Sequence, residues 1–218
     1  MMIRATPPRS RGFTLIEAMV VLAVVAIVVV LAAPSMTRMI EMRRLRGTND
    51  QLLTDVQLAR AEAVSRQERV AITFGGNTSM TCYTIHTCGT ESSNSCRCDC
   101  TAAANEASAN GRCDSTLTMR EVRTVQLLRS ANVAVSPARI GGAANISDRF
   151  IIDPTSGAMV AFLPVVVFTG MPTPPSEFWA ETTLTSAGGN AAVRTKVNGL
   201  GRTEVCLVSG SFSGVSPC

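Results

Sequence analysis

A single carboxylate inside a long apolar run constrains the N-terminal part of this chain. The run extends from Phe13 to Ala33, and Glu17 is the one charged residue within it. As an α-helix these 21 residues are about 31 Å long at about 1.5 Å per residue, which is enough to cross a hydrocarbon layer of about 30 Å. A carboxylate at that depth costs several kcal/mol unless a cation pairs with it. The sequence therefore predicts a membrane-spanning helix in which Glu17 has a partner.

The charges that flank the run predict its orientation. Arg4, Arg9 and Arg11 precede it without any acidic residue, which favours a cytoplasmic N-terminus and places the bulk of the chain outside. Without these three arginines the formal charge falls from +4 to +1. A nearly neutral product makes nucleic acids and anionic surfaces weak default partners.

Two simple interpretations compete for the apolar run. A secretory signal peptide would be cut near Ala33, but its core would exceed the usual length of about 7–15 residues, and Pro34 would follow the cut directly. A plain N-terminal anchor would merely tolerate Glu17 near the interface. Neither interpretation gives the carboxylate a role.

The short basic leader, the sequence "GFTLIE" at residues 12–17 and the long apolar run resemble the type III signal of type IV pilins and pseudopilins. The resemblance implies that residues 1–12 are a leader. A prepilin peptidase would cut between Gly12 and Phe13 and methylate the new amino terminus of Phe13. Gly12 has no side chain, which allows the peptidase to approach the scissile bond closely.

The same resemblance implies a partner for Glu17. In an assembled fibre its carboxylate would pair with the ammonium group of Phe13 in a neighbouring subunit, so that neither buried charge is left alone. Residues 13–34 would form the transmembrane helix. Many pilins carry a proline that bends or melts the helix at the position of Pro34, although Pro34 could equally end the transmembrane helix.

Residues 35–69 continue the helical pattern. Apolar residues at heptad-like steps form one stripe, which predicts a docking face for a sheet rather than a coiled coil: Leu45, Leu52, Val56, Ala59 and Ala63. Gly47 and the capping-box sequence Thr48–Gln51 allow a break or restart of the helix.

Residues 70–218 change to short strand patterns separated by turn sequences, among them "SPARIGG" after residue 135. The predicted strands are Val70–Phe74, Met80–Thr87, Met119–Leu128, Asn132–Val135, Arg149–Ile152, Ala158–Phe168, Thr182–Thr185, Ala192–Val197 and Thr203–Val208. The proline-rich residues 171–177 should form an exposed crossover. A long N-terminal helix followed only by strands predicts an α+β fold, with the helix packed on an antiparallel β-sheet head.

That architecture is also the pilin fold, and several stretches resemble its FimT/GspH branch. These stretches are "LLTDVQLARAEAVSRQERVAITF", "DPTSGAMVAF" and "NGLGRTEVC". The segment from residue 82 to residue 112 has no counterpart in the resemblance and is interpreted as an insertion.

Eight cysteines beyond the apolar run predict disulfides in an oxidising compartment: Cys82, Cys88, Cys96, Cys98, Cys100, Cys113, Cys206 and Cys218. A metal site is the alternative, but Cys-x-Cys-x-Cys differs from the usual structural zinc spacing. Eight cysteines allow 105 pairings, so the connectivity stays open. The one pair predicted is Cys206–Cys218. By closing a short loop in the unfolded chain, this bridge should stabilise the fold by about 2–3 kcal/mol. The bridges are expected to order a loop at residues 82–113 that has no core of its own.

The residues needed for catalysis are scarce. His86 is the only histidine and lies in a strand pattern, so a packed or surface histidine is the expectation. Asp153 begins the turn sequence "DPTSG", whereas Asp99 and Asp114 lie among the cysteines without ligand spacing. No Ser/His/Asp set and no phosphate-binding loop is recognised. We therefore expect neither an enzyme nor a cofactor.

A binding role rests on the C-terminal strands. Some FimT proteins capture DNA through a Gly-Arg-x-Arg motif, and the matching residues here are Gly201 to Glu204. Arg202 fits that motif, but Glu204 stands where the family has an arginine. Arg194 and Lys196, two residues apart on the preceding strand, could share a face and partly compensate.

The combined expectation is a minor pilin or pseudopilin, a structural subunit that initiates or caps a type IV pilus or a type II secretion pseudopilus. Its expected partners are other pilins or pseudopilins, the prepilin peptidase and the inner membrane. The head would lie in the periplasm before fibre assembly. The alternative is a pilus-borne subunit that binds DNA or a surface, for DNA uptake or adhesion.

Mass spectrometry of the mature protein tests the processing prediction. The N-terminal peptide should begin at Phe13 and carry one methyl group on its amine. A chain that retains residues 1–12 in its native host would contradict the pilin interpretation.

Overall fold

The computed structural model describes residues 12–89, 96–102, 113, 118–140, 148–160, 177–186, 189–198, 202–211 and 214–218. Within these residues one long helix, α1 (Leu15–Arg66), is followed by nine strands, with a short 3-10 helix at Arg129–Ala131 between the third and the fourth. The strands are β1 (Val70–Gly76), β2 (Met80–Thr87), β3 (Glu121–Leu128), β4 (Val133–Ile140), β5 (Arg149–Ile152), β6 (Met159–Val160), β7 (Glu177–Ser186), β8 (Gly189–Asn198) and β9 (Thr203–Ser209). The α+β class is confirmed.

Helix α1 is 52 residues long and continues without interruption through Pro34 and through the segment from Gly47 to Gln51. The isolated chain thus has no helix break at Pro34 and none at the segment Gly47–Gln51, where the sequence allows one. A proline inside a helix costs about 3 kcal/mol, whereas a full break within an apolar span would leave several amide groups without partners. Near Gly47 the helix is held by Leu45 and Asn49, which are both buried.

The internal contacts divide the chain into residues 1–40 and residues 41–218. Within the first unit, Leu15–Ala32 is long and apolar enough to cross a membrane by length and composition. Its side chains are exposed in the isolated chain, including Leu22, Ile27 and Leu31.

The second unit contains two antiparallel sheets. The five-stranded sheet has the order β3-β2-β1-β5-β6, and the four-stranded sheet has the order β4-β7-β8-β9. Each of the nine predicted strands overlaps an observed one, although only Met159–Val160 of the segment 158–168 lies within a described strand. Most of the proline-rich crossover, residues 171–176, lies outside the described residues, and Glu177 already begins β7.

The turn expected at "SPARIGG" is wrong over its first five residues. Strand β4 continues through Pro137 to Ile140, and its pairing with β7 shifts register between Ser136 and Arg139. Proline has no amide hydrogen for the ladder, and sheets accommodate it at such irregular positions. Serine and proline at positions 136 and 137 are compatible with both a turn and an irregular strand, so the sequence did not distinguish the two.

The predicted apolar stripe of α1 is the centre of the core. All five of its residues, from Leu45 to Ala63, are fully buried or nearly so. Leu52, Val56, Ala59 and Ala63 share one cluster with side chains from both sheets: Ile72, Phe74, Tyr83, Phe150, Val135 and Val197. The prediction of a docking face for sheet is confirmed.

Two buried polar side chains of α1, Asp55 and Asn49, fix the helix against the sheets. The hydroxyl of Tyr83 donates to Asp55 Oδ2 at 2.7 Å, and Arg123 Nη1 lies 3.0 Å from Asp55 Oδ1. Burial, followed by the hydrogen bond to Asp55, raises the pKa of Tyr83 well above its usual range. On the four-stranded sheet, Thr195 Oγ1 donates to Asn49 Oδ1 at 2.8 Å.

Replacing Asp55 with alanine should destabilise the head strongly. The Asp55→Ala change leaves the buried Tyr83 hydroxyl without an acceptor, and the loss should be about 2–3 kcal/mol, below the usual cost of breaking a buried pair because Arg123 is partly exposed. Urea unfolding of the full chain in detergent, followed by Trp179 fluorescence, measures it.

The matched control is Thr54→Ala, one residue away on the exposed side of the helix, where a change within about 0.5 kcal/mol is expected. Equal effects of the two substitutions would show that the Asp55 contacts contribute nothing specific.

Candidate functional site

The N-terminal segment begins with a non-helical stretch at Gly12–Thr14, and α1 starts at Leu15. An added Cβ at Gly12 would meet no atom within 4 Å, and Phe13 is exposed. Both predicted processing residues therefore lie in accessible, non-helical chain, as a peptidase substrate requires.

Glu17 lies in the first turn of α1, and its amide nitrogen donates to Thr14 Oγ1 at 3.3 Å. Thr14 is thus the N-cap and Glu17 the third helical residue, the arrangement of a capping box. Negative charge at this end of a helix is favoured by the helix dipole. This cap was not among the sequence predictions, although Thr-x-x-Glu before an apolar run is its signature.

All eight cysteines are paired, and the predicted Cys206–Cys218 bridge is confirmed. The other three bridges are Cys82–Cys100, Cys88–Cys96 and Cys98–Cys113. His86, Cys98 and Cys113 have ligand atoms within 4.8 Å of one another, but the two sulfurs share a bridge. In this oxidised state only the imidazole could serve as a metal ligand, so the group is a poor metal site.

The described part of the cysteine-rich segment covers the outer face of the five-stranded sheet, the face turned away from α1. Cys88 and Cys96 form a small buried cluster with Ala71 and Ile151. The disulfides of the segment pack on small and apolar side chains of β1 and β5, which agrees with the expectation that the segment has no core of its own. The signal in the sequence was that β1 has few polar residues on either face.

His86 lies beneath this cover and is completely buried. Its Nε2 is 2.9 Å from Thr73 Oγ1, and its Nδ1 is 3.3 Å from the carbonyl oxygen of Thr87. Burial lowers the pKa of His86 to about 4, partly opposed by the hydrogen bond to Thr87. The ring is therefore a neutral, packed group inside the head, in agreement with the expectation of a packed histidine.

Asp153 and Asp99 both stabilise turns through their side chains. Asp153 Oδ1 accepts hydrogen bonds from the amide and hydroxyl of Thr155, both at 2.6 Å, which hold the pKa of Asp153 below its usual value. Asp99 Oδ1 accepts the same two bonds from Thr101. Asp114 lies outside the described residues.

The predicted DNA contacts lie on the outer face of the four-stranded sheet, where acids accompany the cations. Arg194 pairs with Glu181 at 2.6 Å, and its guanidinium lies 5.0 Å from the Trp179 ring centroid. Lys196 is directly opposite Glu204 across the β8–β9 ladder.

Arg202 is exposed just before β9, and its amide donates to Asn198 Oδ1 at 2.8 Å. Because phosphate binding grows with the number of unpaired cations, this charge pattern favours DNA only weakly.

Two family models match the sequence. The prokaryotic N-terminal methylation motif matches residues 7–33, and the type II transport protein GspH family matches residues 48–201. The chain belongs to the GspH family. The GspH match includes the cysteine-rich segment. Searches of curated proteins and of solved structures found no significant match.

Membership in the GspH family confirms the resemblance to the FimT/GspH branch of pilin-like proteins. It identifies the chain as a type II secretion pseudopilin or minor pilin, a class of structural subunit. The apolar segment Leu15–Ala32 and the methylation motif fit an inner-membrane anchor.

The buried imidazole predicts a specific dependence of stability on pH. The unfolded chain binds a proton at His86 below about pH 6.5, whereas the folded chain resists protonation down to about pH 4. Stability should therefore fall as the pH drops from 6.5 to 4, by about 3 kcal/mol from this group.

Urea unfolding at pH 7 and pH 4 measures this loss in the wild type and in His86→Gln, which keeps a hydrogen-bonding side chain but does not titrate. The variant should lose about 3 kcal/mol less than the wild type between the two pH values. Parallel losses in the two proteins would contradict a neutral buried His86.

Proposed function

We propose that this chain is a structural subunit of a type II secretion pseudopilus or type IV pilus, which initiates or caps the fibre and acts after cleavage at Gly12. The observation that carries the proposal is the position of Glu17 in the first turn of an exposed apolar helix, directly after an accessible Gly12–Phe13 bond. GspH family membership supports the same class of function.

Processing would prepare the chain for assembly. Hydrolysis of the Gly12–Phe13 bond releases the basic leader and leaves an ammonium group on Phe13, four residues before Glu17. The leader removed in this step carries Arg4, Arg9 and Arg11. Because these arginines favour the aqueous side of the membrane, their removal makes it easier for the helix end to leave the bilayer and enter a fibre.

Assembly would then depend on a charge pair between subunits. A lone carboxylate or ammonium group in an apolar layer is costly, and pairing the two removes most of that cost. Such pairing favours subunits that add with Phe13 of one chain beside Glu17 of another. The proline at position 34 lies within continuous helix in the isolated chain, and its melting on assembly stays a prediction.

The disulfides support placing the head in the periplasm. The three arginines that precede the span favour a cytoplasmic N-terminus, and the disulfides add an independent argument because four arginines also follow the span closely: Arg38, Arg43, Arg44 and Arg46. The pairing of all eight cysteines favours an oxidising compartment such as the periplasm over the reducing cytoplasm.

The head surface supports a structural role over DNA capture. The cation of Arg194 is already engaged by Glu181 and Trp179, and Lys196 faces Glu204. His86 is buried and hydrogen-bonded, so this part of the chain also gives no support to an anchored enzyme.

Two substitutions separate the charge of Glu17 from its place in the helix cap. Glu17→Gln keeps a side chain that capping boxes accept but removes the charge. Thr14→Ala removes the cap oxygen, which costs about 1 kcal/mol of helix stability, but keeps the charge. Both variants are expressed in the native host, and cleavage, membrane level and fibre incorporation are measured for each.

We expect Glu17→Gln to be cleaved and inserted normally but to enter fibres at least about tenfold less, because an unpaired ammonium costs more than 1.4 kcal/mol in the apolar layer. Thr14→Ala should enter fibres nearly as well as the wild type. Normal incorporation of Glu17→Gln would overturn the proposed assembly role of the carboxylate.

A further inference from the structure

The connectivity of the disulfides in the cysteine-rich segment has an unusual order. The bridge Cys82–Cys100 encloses Cys88–Cys96, and Cys98–Cys113 crosses it, because Cys98 lies inside that loop and Cys113 outside. From this order we infer that the head is a client of a thiol–disulfide isomerase, an enzyme that presents a reduced thiol in the oxidising compartment. This inference rests on the proposed export of the head.

Export in the N-to-C direction favours the wrong partners. Cys82 and Cys88 emerge first, and an oxidising disulfide donor of the compartment would join them before Cys96 and Cys100 arrive. The native partner of Cys82 is 18 residues away, with three other cysteines in between. Consecutive oxidation therefore yields a non-native Cys82–Cys88 bridge.

That bridge is incompatible with the fold. Cys82 lies in β2, and Cys88 follows directly after the strand. Six residues of extended strand span about 20 Å, whereas the Cα atoms of a disulfide lie within about 7 Å. A Cys82–Cys88 bridge would thus prevent β2 from forming, and β2 is the neighbour of both β1 and β3.

The chain has no means of correcting the error alone. Thiol–disulfide exchange needs an attacking thiolate, and all eight cysteines are consumed in four bridges, so a fully oxidised wrong isomer also lacks one. In the folded head five of the six cysteines of the segment are buried as well, Cys82, Cys88, Cys96, Cys98 and Cys100, and Cys113 is half-buried. The attacking thiolate must therefore come from another molecule, and it must act before folding buries the bridges.

The exchange is balanced in electrons. The isomerase thiolate attacks one sulfur of the wrong bridge, forms a mixed disulfide and displaces the other cysteine as a thiolate. That thiolate attacks another wrong bridge, and its displaced sulfur continues the exchange. A cysteine thiolate of the chain finally attacks the mixed disulfide and releases the isomerase thiolate. The number of disulfides is unchanged, and no net oxidation or reduction occurs.

The experiment expresses the full chain in two bacterial hosts that differ only in the periplasmic disulfide isomerase, and maps the bridges by peptide mass spectrometry under non-reducing conditions. Without the isomerase, a Cys82–Cys88 bridge should appear, and the fraction of chains that carry all three native bridges should fall to about one in 15 or below, the fraction for random pairing of six cysteines. Cys206–Cys218 joins consecutive cysteines and should form in both hosts.

Two double variants provide a matched comparison. Cys82→Ser with Cys100→Ser leaves the native pairs Cys88–Cys96 and Cys98–Cys113, which join consecutive cysteines, so native pairing should no longer depend on the isomerase. Cys98→Ser with Cys113→Ser removes the crossing bridge but keeps one loop inside the other, so dependence should persist. The readout is connectivity and does not require either variant to assemble into fibres.

Native pairing of the wild type in the isomerase-deficient host would overturn this inference and leave the proposed function intact. Equal dependence of the two double variants would overturn it as well. Absence of all four bridges in both hosts, including Cys206–Cys218, would contradict the proposed location of the head together with the inference.

Discussion

Burial of one face of α1 is the constraint on which the head depends. The stripe from Leu45 to Ala63 supplies the apolar surface that both sheets share, and without it the sheets would have no common core. Each large buried aliphatic side chain of this kind contributes about 1.5–3 kcal/mol. Polar residues within the same face then specify the alignment, because the buried Asp55 and Asn49 are hydrogen-bonded by Tyr83 and Thr195 in this arrangement.

The face of the five-stranded sheet that is turned away from α1 is covered by a disulfide-linked segment rather than by large apolar side chains. Only 4% of the residues are aromatic, and the small cluster beneath the bridges consists of Ala71, Ile151 and two cysteines. The cover lies so close that a Cβ at Gly75 would be 2.9 Å from Cys100 Sγ. Disulfides suit such a thin layer, because they restrict the unfolded chain where burial alone stabilises little. His86 is the polar group enclosed by this layer.

The N-terminus combines two uses of one short motif. Thr14 caps the helix in the isolated chain by accepting from the amide of Glu17, and the Glu17 carboxylate in the same first turn is the group proposed to meet an ammonium of another subunit. Both uses follow from the same electrostatics, since the end of a helix where amide hydrogens are free attracts negative charge. A helix that starts within the proposed membrane layer thus retains a carboxylate for a local reason as well as an assembly reason. On the outer face of the four-stranded sheet, by contrast, the cations Arg194 and Lys196 lie beside the acids Glu181 and Glu204.

Features that depend on local pattern were determined by the sequence alone: the apolar span, the stripe on α1, the nine strands and the Cys206–Cys218 bridge, whose cysteines are 12 residues apart. Only the tertiary structure decided the three other bridges, the cover over His86 and the partners of Asp55. It also decided that β4 continues through Pro137 and α1 through Pro34. The physical reason is distance along the chain. Asn49 and Thr195 are 146 residues apart, and no periodicity or turn chemistry encodes which distant groups will satisfy one another.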